Sequence, residues 1–198
     1  MKIVELILDE EQEESGIEAI SIVESPAIES DFVALKAEEI KLAEVDTDKR
    51  ILLGALLIPN KPIYRTGEEG DYYIFFSKDT IVKASQMYLK NGYQNNSTLE
   101  HEKALNGLTL VESWIVEDKV QDKSRKYGLD VPVGTWMGAV KVNNEKIWQE
   151  YVKTSKVKGF SIEGYFADKM ERPKEDIKED LSEDDIILNE IKNILTSN

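Results

Sequence analysis

The 198-residue chain has no cysteine, one histidine, five prolines and no apolar run approaching the ~18 residues that span a bilayer. Without cysteine there is no disulfide framework, no thiol nucleophile and no thiolate metal site. A single histidine excludes any centre that needs two imidazoles, and with it most zinc hydrolase arrangements. Basic charge is also scarce. The 25 Lys+Arg face 39 Asp+Glu, a formal net of −14, whereas a nucleic-acid-binding face must be net basic to neutralise phosphate. The amino terminus, Met1-Lys2-Ile3-Val4-Glu5, reaches an acid too early for a signal peptide. The expectation is a soluble, cytoplasmic protein with neither nucleic acid nor membrane as partner, and with no metal or cofactor.

What is present is enough for a core: 41% of residues are hydrophobic, too many for a disordered chain. The acidity is uneven. Residues 1–48 hold 15 acids and 3 bases, residues 168–198 hold 10 acids and 5 bases, and the middle holds 14 acids and 17 bases. This predicts three parts: an acidic amino-terminal segment over 1–48 with one or two strands, a folded core domain over 49–167, and an acidic tail over 168–198 with a short helix at Ile186–Leu195. The acid runs Glu10–Glu14 and Glu183–Asp185 lack the spacing of a calcium loop and read as solvated.

Residues 2–8 and 18–24 are strand-like. Residues 34–48 are compatible with a helix or a linker. The apolar run 50–58, closed by Pro59, fits a strand buried on both faces. Residues 72–77 read as a strand, and a helix follows with Ser77 or Asp79 as its cap and Asn91-Gly92 as its stop. Strands are expected over 108–118, 135–142 and 158–167, a charged loop over 119–133 and a helix over about 145–154. Without strict βαβ alternation, the fold class is α+β, with a mainly antiparallel, barrel-like sheet and flanking helices.

Three residue types in this pattern point to chemistry. In the strand 158–167, Ser161, Glu163 and Tyr165 share one face and Phe160, Ile162 and Phe166 the other. Gly159 and Gly164 bracket Ser161, and glycine permits close backbone approach. A serine nucleophile needs a base, and the one imidazole is His101, in Leu99-Glu100-His101-Glu102-Lys103. A third member would be a carboxylate that orients the imidazole. Glu112, among apolar residues of the strand 108–118, is one choice, and its alternative role is a salt bridge to a nearby Lys or Arg. Glu163, two residues from Ser161 on the same face, is the other.

Read in order, His101-Glu102-Lys103-Ala104-Leu105-Asn106-Gly107, Glu112-Ser113-Trp114-Ile115, Val133-Gly134-Thr135-Trp136-Met137, Trp148 and Lys158-Gly159-Phe160-Ser161-Ile162-Glu163-Gly164 resemble the XkdF-like family of phage serine proteases. That family is grouped with the prohead (capsid maturation) proteases of tailed phages and with the herpesvirus assemblin fold. The segment Gly16–Ile28 also resembles the opening of such proteins. The resemblance implies an assemblin-like serine endopeptidase with Ser161 as nucleophile and His101 as general base. Assemblins use a second histidine, which this chain lacks. Glu112 is the preferred replacement, with Glu163 as the alternative, unless the enzyme works as a dyad. The implied substrates are phage scaffold and capsid proteins, cleaved within the assembling prohead in the host cytoplasm. A homo-oligomer is left open, as is an inactive, structural component of a phage head.

Overall fold

The computed structural model describes residues 2–8, 15–28, 33–36, 48–67 and 70–168. The acid runs, most of the helix-compatible stretch 34–48 and nearly all of the tail 168–198, with its expected helix, lie outside the described residues.

The apolar run near residue 50 becomes the strand β4 (Asp48–Leu57), in which Leu52, Leu53, Ala55, Leu56 and Leu57 are all buried. Burial on both faces explains why it reads as continuous rather than alternating. It lies between β3 (Val33–Lys36) and β10 (Trp136–Val142), and β9 (Leu108–Ile115) closes this sheet in the order β3-β4-β10-β9. Gly138 of β10 is needed there, because a Cβ on it would lie 2.8 Å from the methyl carbons of both Leu56 and Leu110.

A second sheet has β1 (Lys2–Ile7) between β12 (Ala167–Asp168) and β6 (Gly70–Phe76), with β5 (Ile63–Gly67) at its edge. The third has the order β11-β2-β7-β8, from Gly159–Tyr165, Gly16–Val23, Ser97–Leu99 and Lys103–Leu105. Most pairings are antiparallel, as expected. The pairings β1–β6 and β2–β7 are parallel. The α+β class holds, but among the described residues no closed barrel forms. A barrel requires its first and last strands to pair, whereas each of these sheets ends in two edge strands.

Helix α1 (Lys78–Lys90) starts at Ser77, whose hydroxyl accepts the Thr80 N–H, and ends at Asn91 before left-handed Gly92. Ile81, Ala84 and Tyr88 recur at helical spacing and are buried against β2 and β10. Tyr88 packs edge-on to Trp136, ring centroids 5.7 Å apart, and its burial raises the phenol pKa far above its ordinary value. The loop after β9 contains a short helix, α2 (Lys123–Lys126). The expected helix near 145–154 is α3 (Glu145–Ile147), capped by Asn144 and continued by a π turn over Trp148–Val152. Residues 33–36 are strand rather than helix.

The amino-terminal segment is built into the sheets: β1 and β2 each lie between two strands, all four of them contributed by residues after 49. Among the described residues no helix is long and apolar enough to cross a membrane.

Candidate active site

The third sheet assembles the candidate residues. Ser161 on β11 pairs with Ser21 on β2, and Ser21 pairs with Thr98 on β7. Residues paired across strands share a face, so three hydroxyl side chains form a row. Glu163 lies two residues along β11 on that same face. The pairing of β11 with β2 then slips by one residue between Glu163 and Gly164. Only glycine fits at 164, because a Cβ there would collide with the Gly16 carbonyl oxygen.

His101 sits at the tip of the β7–β8 hairpin. Glu100 and His101 have φ of 52° and 61°, and the Glu102 N–H donates to the Leu99 carbonyl at 3.1 Å. This is the pattern of a type I′ turn, for which Asn-Gly is preferred. Each non-glycine residue in this conformation costs about 1 kcal/mol or more and persists only where its surroundings hold it. Here β2 holds it. The His101 N–H donates to Ser21 Oγ at 3.0 Å, the Glu100 N–H to the Ile22 carbonyl at 3.2 Å, and the Glu24 N–H to the Glu100 carboxylate at 2.7 Å.

The turn brings His101 Nδ1 to 3.2 Å from Glu163 Oε1, with side-chain exposures of 42% and 29%. The same Glu163 oxygen accepts a hydrogen bond from Thr98 Oγ1. Ser161 is 9% exposed, and among the described residues its hydroxyl has no hydrogen-bond partner, His101 included. Ser161 also lines a groove of about 640 Å³ walled by apolar residues such as Val4, Ile28, Leu56, Ile74 and Phe76. With a carboxylate on Nδ1, the other imidazole nitrogen, Nε2, is left to exchange a proton. This is the division of labour that nucleophilic serine chemistry requires.

Glu112 is elsewhere. It lies on β9, in the β3-β4-β10-β9 sheet, and ion-pairs with Lys123, the side chains being 47% and 40% exposed. The β9–β10 register skips Val111, pairing Leu110 with Val140 and Glu112 with Ala139. This bulge takes Glu112 off the buried face of Leu108 and Leu110. Burial, and then the charge of Lys126, lower the Lys123 pKa, and its ammonium lies 5.0 Å from the centre of the Trp114 ring. Glu112 thus takes the salt-bridge role. The tryptophans are structural: Trp136 and Trp148 are buried, and the half-buried Trp114 donates its N–H to Asp122.

Sequence reasoning missed Ser21 and Thr98. The available signal was Ser21 between Ile20 and Ile22, a lone hydroxyl in an apolar strand that must find a partner when buried. Among the described residues no three carboxylate or imidazole side chains converge to hold a metal ion.

A family model described as "Putative phage serine protease XkdF" matches residues 39–171. The match includes His101, Glu112, Ser161 and Glu163 but not Gly16–Ile28. No curated protein and no solved structure shows a significant match.

Proposed function

The chain belongs to the XkdF family of phage serine proteases, and on that premise we propose that it is a serine endopeptidase with Ser161 as nucleophile, His101 as general base and Glu163 as the orienting carboxylate. The observation that carries this reading is the 3.2 Å contact of His101 Nδ1 with Glu163 Oε1, two residues along one strand face from Ser161. The Glu163 carboxylate beside Nδ1 favours the tautomer protonated there, which leaves the free lone pair on Nε2. As Ser161 Oγ attacks the scissile carbonyl carbon, its proton passes to Nε2. The imidazolium returns that proton to the leaving amine, the C–N bond breaks and an acyl-enzyme remains. Water then attacks the ester, again through His101, releasing the acid and restoring the Ser161 hydroxyl. The groove that Ser161 lines, with apolar walls and the charged Lys2, Arg65 and Asp71, offers a seat for an extended peptide.

The finer reading is a prohead maturation protease of assemblin-like kind, acting on scaffold and capsid proteins inside the assembling shell in the host cytoplasm. Membership of a phage protease family supports the setting. In the test, the wild-type chain is co-expressed with scaffold and capsid proteins of its phage and, separately, treated with a fluorophosphonate. Cleavage and labelling at Ser161 are expected, and both should vanish in Ser161→Ala with its melting temperature unchanged. Cleavage undiminished in Ser161→Ala would sink the assignment. A second reading, an inactive structural component of the head, is favoured by the unpaired Ser161 hydroxyl. It predicts a wild-type chain that neither cleaves nor labels.

A further inference from the structure

The residue that fixes His101 lies outside the segment matching the family. Ser21 is fully buried at the centre of β2. Its Oγ accepts the His101 N–H at 3.0 Å and reaches the Thr98 carbonyl at 3.5 Å, while the Thr98 hydroxyl donates to the Glu163 oxygen that faces His101 Nδ1. Ser21 therefore ties the backbone of the base to the strand that anchors its carboxylate. A buried hydroxyl that accepts from the N–H of a left-handed histidine does more than fill volume: the N–H would lose its partner with any apolar replacement.

We propose that Ser21 is a positioning residue of the active site, holding the strained Glu100-His101 turn so that the imidazole meets Glu163 and Ser161 together. This inference rests on the serine-protease reading above. It makes β2 part of the catalytic unit, so that residues 39–171 alone would lack a working base.

Because His101 is the only histidine, its imidazole gives one unambiguous set of NMR signals. The test compares full-length wild type, Ser21→Ala and Ser21→Thr by the rate of fluorophosphonate labelling at Ser161, the His101 imidazole signals and the exchange rate of the His101 amide. Ser21→Ala is nearly isosteric and should fold. It should label about 10- to 100-fold more slowly, the scale of a misplaced catalytic group, with shifted imidazole signals and a faster-exchanging amide. Ser21→Thr, which keeps the hydroxyl, should restore most of the rate. Labelling of Ser21→Ala at the wild-type rate would overturn the proposal. So would a loss shared equally by Ser21→Thr with imidazole signals unmoved. If wild type itself fails to label, the protease reading falls, and the amide still decides the positioning claim: exchange no faster in Ser21→Ala than in wild type overturns it.

Discussion

The sharpest division of labour in this protein is between two glutamates, and replacing each by glutamine separates them. Two unit charges 3.2 Å apart attract by about 5 kcal/mol at an effective dielectric of about 20 and by about 1.3 kcal/mol at that of water. His101 and Glu163 are each partly open to solvent, so under the proposed mechanism the imidazolium formed during acylation gains an intermediate amount, about 2–4 kcal/mol. At ~1.36 kcal/mol per tenfold in rate, Glu163→Gln should lower kcat about 30- to 1,000-fold. It should change KM little, because the lost interaction matters only once the imidazole is charged. Glu112 and Lys123 form an exposed pair in another sheet. Glu112→Gln should therefore leave kcat near wild type and cost at most about 1 kcal/mol of stability. Steady-state hydrolysis of a peptide spanning a mapped cleavage site measures both variants. A Glu112→Gln enzyme as impaired as expected for Glu163→Gln, beside a nearly normal Glu163→Gln enzyme, would refute the assignment.

Gly164→Ala should destabilise the fold by about 1–3 kcal/mol, because the added carbon meets backbone of Gly16 and Ile17 that cannot swing aside. For a chain of this size that is a fall in Tm of about 2–12 °C by thermal denaturation, and an unchanged Tm would count against the tight β11–β2 contact. Asp118 accepts backbone N–H bonds from Gln121 and Val120, which hold its pKa below the ordinary 3.8. Its stabilisation is present above that ordinary value and is lost as pH falls through the lowered folded value. Urea midpoints measured down an acid series should therefore fall less steeply in Asp118→Asn; an identical acid limb would refute this.

Much of the scaffold was legible because its signals are local. The run 50–58, the cap at Ser77, the Asn91-Gly92 stop and the alternation in 158–167 each lie within one element, where periodicity and capping act. The hairpin that carries His101 was not legible. Its two strands have three residues each, too few to show a period, and its turn holds Glu-His where Asn-Gly would announce it. The surroundings of Glu112 were not legible because of one bulge: strict alternation puts Glu112 beside Leu110, and the skipped Val111 turns it to solvent.

By itself the sequence determined that Ser161 and Glu163 share a strand face, since side chains two apart in a strand must, and that any imidazole base is His101, since the chain has no other. Which carboxylate meets that base was decided only by tertiary structure. His101 reaches Glu163 because β7 pairs in parallel with β2 and β2 pairs with β11, bringing together residues 62 positions apart in the chain. Ser21, 80 positions before His101, holds the turn only through that same parallel pairing. Such pairings are set by packing across the whole chain, which no local pattern encodes.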